Sequence, residues 1–150
     1  MHSTDTHIQL LVRLGESFSS IAKEIKLQHG QDYTCFTPAL DKVLTIIGDD
    51  ETINVKHIAA FLSITSGAAT QHIAALEKEE AIVRVANPDD RREVILHLTQ
   101  KGKEAYERIK TYRLQLLQEI FSGLDDKELT LMVDLITKAS QNISNKEIKT

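Results

Sequence analysis

Residues Thr65 to Thr99, TSGAATQHIAALEKEEAIVRVANPDDRREVILHLT, decide how the chain reads. The stretch passes from a helix of small residues into two short alternating runs separated by an Asp- and Arg-rich turn. Thr65 has the hydroxyl of an N-cap, able to satisfy a helix N–H that lacks an intrahelical partner. Ala69, Ile73 and Leu76 then recur at helical spacing, leaving Ser66, Thr70 and Gln71 on other faces. After Ala81 the period changes to two. Ile82 to Ala86 predicts one strand and Glu93 to Leu98 another, with Val94, Leu96 and Leu98 on one face and Ile95 and His97 opposite. Between them Asn87-Pro88-Asp89-Asp90-Arg91-Arg92 supplies turn chemistry and two guanidinium groups at an exposed tip. A helix followed by a hairpin with an arginine-bearing tip is what a winged helix-turn-helix requires. Such a helix fits a DNA major groove, and the tip reaches phosphates or the neighbouring minor groove.

Working outward, Asn54 caps a short helix with Val55, Ile58, Ala59 and Leu62 inward, and Ser63-Ile64 turns into the helix that Thr65 starts. Upstream, Thr37-Pro38 opens a helix with Thr as cap and Pro at the first position, where its missing N–H costs nothing. Its apolar side is Leu40, Val43, Leu44 and Ile47, and it stops at Gly48-Asp49-Asp50. Ile8 to Leu27 reads as a long amphipathic helix carrying Ile8, Leu11, Val12, Phe18, Ile21, Ala22 and Ile25. His29-Gly30-Gln31-Asp32 ends it, and Tyr33 to Phe36 is a linker. Beyond Thr99, Gly102 to Phe121 places Ala105, Ile109, Tyr112, Leu116, Leu117 and Ile120 on a stripe. Asp125 and Glu128 form a capping box for a last helix whose apolar side is Leu129, Met132, Val133, Leu135, Ile136 and Ala139.

The fold class expected is therefore mainly α with a small β-hairpin wing: a winged helix-turn-helix at about 37–99, with an all-helical dimerisation region at about 5–34 and 100–143. Residues 144–150 read as a flexible tail. The whole is one domain of 150 residues, since 41% hydrophobic residues suffice for a single core. The first and last two helices carry more apolar surface than one small winged helix needs, so a two-fold homodimer is expected.

The element Asp90-Arg91-Arg92, followed by HLTQKGKE and preceded by IAAFLSITSGAATQHIAALEKEEAIVR, resembles the multiple-antibiotic-resistance regulator (MarR) family of bacterial transcription factors. The resemblance spans about residues 5 to 143, and Ile58 to Gly102 carries most of its specificity. It implies a homodimer on double-stranded DNA with two recognition helices about one turn apart, hence a pseudo-palindromic operator. It further implies that Arg92 enters the minor groove while Asp90 orients it by a charge-assisted pair. The plainer reading of Arg92 is a solvated turn charge. Arg91 divides evenly between a phosphate contact and a neighbouring acid. Ser66, Thr70 and Gln71 are the groups that can meet base edges or phosphates, Gln being suited to adenine; their plainer reading is an ordinary polar surface. Many members of the family carry a basic residue where Gln71 stands, and a helix-ending Gly where Glu80 stands. The resemblance also implies a small apolar or aromatic anionic effector lodged between the dimer helices and the winged lobe. Candidate lining residues are Phe18, Tyr33, Phe36 and Tyr112, though aromatics at helical spacing are more often core.

Charge alone argues weakly for such a partner. The net charge is −4, yet Arg84 to Arg113 holds eight Lys or Arg against five Asp or Glu, a local +3, which leaves −7 for the remainder. The stretch Thr65 to Ala75 has no Lys or Arg, which predicts modest non-specific affinity. The rival reading is a winged-helix protein-interaction module with weak or no DNA binding. No catalytic motif, phosphate-binding Gly loop or set of acids at metal spacing is present, so no enzyme, cofactor or metal is expected. The six histidines form no i, i+4 pair, and zinc at Glu24, His29 and Cys35 is only conceivable. Cys35, the single cysteine, lies beyond the first helix, where family thiol sensors carry theirs, and lacks positive charge nearby in sequence. With no apolar run of membrane-span length and no leader signature, a cytoplasmic protein is expected, with no membrane partner.

Overall fold

The computed structural model describes residues 2–29 and 34–147, with side chains at 6–27 and 34–142. In chain order the elements are α1 (His2–His29), α2 (Pro38–Asp49), α3 (Val55–Leu62), α4 (Ser66–Lys78), β1 (Ile82–Ala86), β2 (Val94–Leu98), α5 (Gln100–Ile120) and α6 (Asp126–Glu147). They fall into two compact units, residues 1–113 and 114–150, so α5 runs from one into the other.

In the first unit α2, α3 and α4 each start on the expected cap. The Thr37 side chain accepts the Leu40 N–H, with Pro38 at the first helical position. Thr65 Oγ1 accepts the Ala68 N–H at 3.1 Å. Asn54 goes further than expected and forms a reciprocal box. Its Oδ1 accepts the His57 N–H, and its own N–H donates to His57 Nδ1. The turn between α3 and α4 depends on Ser63, which sits in the left-handed region at φ 52°. The Ile64 N–H closes back on the Ala59 carbonyl at 3.0 Å.

Fully buried Val43, Leu44, Ile58, Ala69, Ile73, Leu76 and Leu96 interlock α2, α3, α4 and β2 into one core, with Ile82 and Ala105 beside them. The hairpin is antiparallel, pairing Ile82 with Leu98, Arg84 with Leu96 and Ala86 with Val94. It is tied to the rest at mid-strand by the Leu96 N–H, which donates to the Ile53 carbonyl at 2.8 Å.

The start of α5 explains the Thr99-x-x-Gly102 signature physically. Thr99 donates its N–H to the Ala81 carbonyl at 3.0 Å and its hydroxyl to the Glu80 carbonyl at 2.6 Å. The same Oγ1 accepts the Gly102 N–H at 3.1 Å. Gly102 lies so close that a Cβ there would stand 1.9 Å from the Ala81 oxygen. Gly48 is needed for a similar reason, because a Cβ would overlap the Tyr106 ring at 2.5 Å.

In the second unit Asp125 and Glu128 form the expected capping box. Asp125 Oδ1 accepts the Glu128 N–H, and Glu128 Oε2 accepts the Asp125 N–H, both at 2.9 Å. An apolar groove of about 440 Å³ runs between the end of α5 and α6, lined by Leu117, Phe121, Leu129, Met132, Val133 and Ile136. The backbone of α6 continues through Glu147, because Ser144-Asn145-Lys146-Glu147 contains no Gly or Pro to stop a helix already nucleated. Among the described residues no helix is long and apolar enough to cross a membrane.

Candidate nucleic-acid interface

Helix α4 buries one face and offers the other. Ala69, Ile73 and Leu76 are fully buried, whereas Ser66, Gly67, Thr70, Gln71 and Ala74 are exposed. The spacing of three and four residues produces this division. The exposed face therefore carries Ser66, Thr70 and Gln71 on one side of a slim helix. The Thr70 hydroxyl donates back to the Ser66 carbonyl at 2.8 Å, so outward it is left with acceptor capacity. Arg84 of β1 donates to Glu77 of α4 at 2.9 Å and ties the hairpin to the helix.

The tip of the hairpin is held by side-chain-to-backbone bonds. Asn87 Oδ1 accepts the Asp89 N–H at 3.0 Å, and Asp90 Oδ1 accepts the Arg92 N–H at 2.9 Å. Both are two-residue Asx turns, which fix a loop without help from a core. The Asn87 N–H donates to the Glu93 carbonyl and the Glu93 N–H to the Asp90 carbonyl, each at 2.9 Å. Asp90 thus meets Arg92 at the backbone N–H, and among the described residues it makes no ion pair with the guanidinium that the family resemblance implies. The two-residue spacing places Asp90 Oδ1 on that N–H. Arg91 and Arg92 are both exposed, and neither makes an ion pair among the described residues. Arg92 shares a cleft of about 450 Å³ with Lys56, at the first turn of α3. No motif or spacing in the chain singles out Lys56.

The residues expected to line an effector pocket are dispersed in their roles. Phe18 on α1 is exposed, Phe36 is half-buried and packed against the core cluster, and Tyr112 is half-buried on α5. Tyr33 lies outside the described residues. A cleft of about 390 Å³ is lined instead by Ile47, Gly48, Leu96, His97, Lys103 and Tyr106, among others. His97 Nε2 is buried there with no hydrogen-bond partner among the described residues. Tyr106 donates its hydroxyl to Asp49 Oδ1 at 2.6 Å, and that bond pushes its pKa up to about 12.

Cys35 has a structural setting. Its N–H donates to Asp41 Oδ2 at 3.0 Å, and its thiol approaches the Ala105 carbonyl at 3.7 Å. Burial pushes the thiol pKa above its ordinary value, and the opposing pull of Arg108 does not reverse that. Asp41, which also accepts the Phe36 N–H, is likewise raised by burial, with its two backbone donors pulling the other way. Of the zinc combination conceivable from sequence, His29 has its side chain outside the described residues.

A slim helix whose exposed residues Ser66, Thr70 and Gln71 are polar and uncharged, beside a hairpin with two arginines at a braced tip that make no ion pair among the described residues, defines a winged helix-turn-helix of the DNA-reading kind. Comparison with known proteins gives the family. The MarR family model matches residues 36–94. The regulator SarZ of Staphylococcus saprophyticus, an HTH-type transcriptional regulator, is 32% identical over 107 residues, covering 71% of this chain and 69% of SarZ. The HTH-type regulator YdgJ of Bacillus subtilis is 26% identical over 106 residues, 71% of this chain and 65% of YdgJ. The crystal structure of Streptococcus pneumoniae FabT in complex with DNA superposes with a TM-score of 0.67 at 23% identity, covering 93% of this chain and 98% of FabT. The chain belongs to the MarR family of winged helix-turn-helix transcriptional regulators.

Proposed function

We propose that the chain acts as a homodimeric repressor that reads a pseudo-palindromic operator and is released by a small apolar or aromatic anionic effector. The observation that carries the DNA-reading part is the pairing of α4's exposed Ser66, Thr70 and Gln71 with the unpaired guanidinium groups of Arg91 and Arg92 on a braced tip. Bases are read by such short polar groups, and a narrow minor groove attracts a guanidinium. FabT, a protein of the same fold, has been crystallised with DNA.

The dimer follows from surface that a monomer leaves wet. On α1, Ile8, Leu11, Val12 and Phe18 are more than half exposed, and on α6 so are Leu131, Val133, Leu135 and Ile136. Apolar stripes of that extent on two long helices mark association surfaces. A two-fold pairing sets two copies of α4 about one DNA turn apart. The effector would act only through unequal affinity for dimers of different lobe spacing.

Fluorescence anisotropy with a duplex selected by the protein tests this reading. Arg92→Ala should weaken binding by roughly 1–3 kcal/mol with the fold and dimer intact. Unchanged affinity would remove the wing's role. Absence of any salt-sensitive duplex affinity in the wild type would favour a protein-interaction module instead. An aromatic carboxylate such as benzoate should lower the affinity. Indifference to such acids would remove this effector class.

A further inference from the structure

We propose that Glu93 is a positioning residue for DNA binding: its carboxylate locks the wing to the first helix of the helix-turn-helix and so sets where Arg92 stands. The proposal rests on the DNA-binding reading above and adds a device that the reading does not require.

Two side-chain amides converge on Glu93 from different elements. Asn54 Nδ2, from the N-cap of α3, donates to Oε1, and Asn87 Nδ2, where the chain leaves β1, donates to Oε2 at 2.9 Å. Neither amide is free to turn over. Asn54 Oδ1 is held by the His57 N–H and Asn87 Oδ1 by the Asp89 N–H, each at 3.0 Å. Both therefore present donors toward position 93. A side chain there needs two acceptors and no donor, and among residues of this length only a carboxylate meets that demand. Glutamine would bring one acceptor and set its own NH2 against an amide donor. Aspartate is one methylene too short to span the gap.

The consequence is geometric. A two-stranded hairpin is marginal by itself, so its tilt depends on what its strands are tied to. From β2 and its approach, two bonds reach the segment before α3: Leu96 N–H to the Ile53 carbonyl, and Asn54 to Glu93. The first lies at mid-strand, where Leu96 pairs with Arg84, and the second near the tip, directly beside Arg92. Arg92 and Lys56 line one cleft over this clamp, so Glu93 also sets the gap between two cations available to a DNA backbone. The apolar contacts of the hairpin, through Ile82 and Leu96, lie in the core and do not involve Glu93.

Amide hydrogen exchange without DNA, and anisotropy with DNA, test the proposal together. Glu93→Gln should speed exchange at the tip amides of Asp89, Arg92 and Glu93's replacement while leaving α4 and the core unchanged. Exchange unaltered at the tip would overturn the clamp whatever the protein does with DNA. Against the selected duplex, Glu93→Gln should weaken binding about tenfold, the loss expected for one charge-assisted bond. In an Arg92→Ala background the same change should cost less than about twofold, because a clamp acts through the residue it positions. Additive losses would overturn it. Asn54→Asp combined with Glu93→Gln should restore both tip protection and affinity. The introduced carboxylate at 54 accepts from the introduced amide at 93, whose carbonyl still accepts from Asn87. Failure of that rescue would also overturn the proposal. Clamp behaviour in exchange with no duplex binding by the wild type would instead remove the DNA-binding reading and, with it, any role of Glu93 in binding.

Discussion

Gly102→Ala should lower stability even though intrinsic helix propensity argues the other way. Gly102 occupies the first turn of α5, where alanine is favoured by about 1 kcal/mol at most. Against that gain, the new Cβ would stand 1.9 Å from the Ala81 oxygen and 3.0 Å from its carbonyl carbon. Both neighbours are backbone, so relief means moving α5 away from Ala81 until the contact opens to at least 3.4 Å. That movement strains the Thr99 N–H bond to Ala81 at 3.0 Å and the Thr99 hydroxyl bond to Glu80 at 2.6 Å. Overpacking costs about 1–3 kcal/mol, and each of the two hydrogen bonds contributes roughly 0.5–1.5 kcal/mol. The net destabilisation is roughly 2–4 kcal/mol, a fall in Tm of about 5–15 °C for a chain of this size. Thermal unfolding followed by circular dichroism measures it, with Lys101→Ala as a neighbouring control expected to change little. A Tm for Gly102→Ala equal to or above the wild type would refute the close-approach reasoning and leave propensity as the governing effect.

Other positions give equally definite outcomes. Glu80 holds φ at 59°, a conformation that costs a residue with a Cβ about 1 kcal/mol, so Glu80→Gly should raise stability by up to about 1 kcal/mol in the same assay; a loss would contradict it. Tyr106 has its pKa pushed up to about 12 from 10.0 by its bond to Asp49. A raised pKa means that its contribution is fully present below pH 10 and is lost as the pH rises toward 12. The stability gap between wild type and Tyr106→Phe should therefore be constant to about pH 10 and shrink above it, and a gap independent of pH would exclude the bond. Cys35, with its thiol pKa raised by burial, should react slowly with a disulfide reagent at pH 7 and more slowly still in Arg108→Ala, where the lowering influence is gone. Rapid labelling of the folded wild type would contradict that setting.

What the sequence made legible was whatever obeys a local period or a local rule. The two strands were readable because β-branched residues gather at Ile82, Val83 and Val85 and at Val94 and Ile95 with a turn-rich segment between them, although burial alternates along neither strand. The caps at Thr37, Asn54, Thr65 and Asp125 were readable because an N-cap is a contact between residues three apart. Even the departure at Glu80 was visible as a glycine position filled by another residue, and the structure places it at positive φ. The charged wing arginines stood out by their turn.

Long-range polar contacts left no such trace. Glu93 looked like one more charge at the start of a strand, because the two amides that converge on it lie 39 and 6 residues away. Cys35 looked isolated, because Arg108 and the Ala105 carbonyl reach it from α5. The Asp90–Arg92 relation was visible as a pair of residues but not as an Asx turn, since spacing does not distinguish a carboxylate that meets a guanidinium from one that meets the intervening backbone.

Selection of duplexes from a random DNA pool by the purified full-length protein tests most directly whether two copies of this chain read DNA together. Enriched sequences should share an inverted repeat with half-site centres about 10 base pairs apart, the separation that a two-fold pair of α4 helices imposes. A pool that stays random after successive rounds, or that converges on a single unrepeated site, would contradict it.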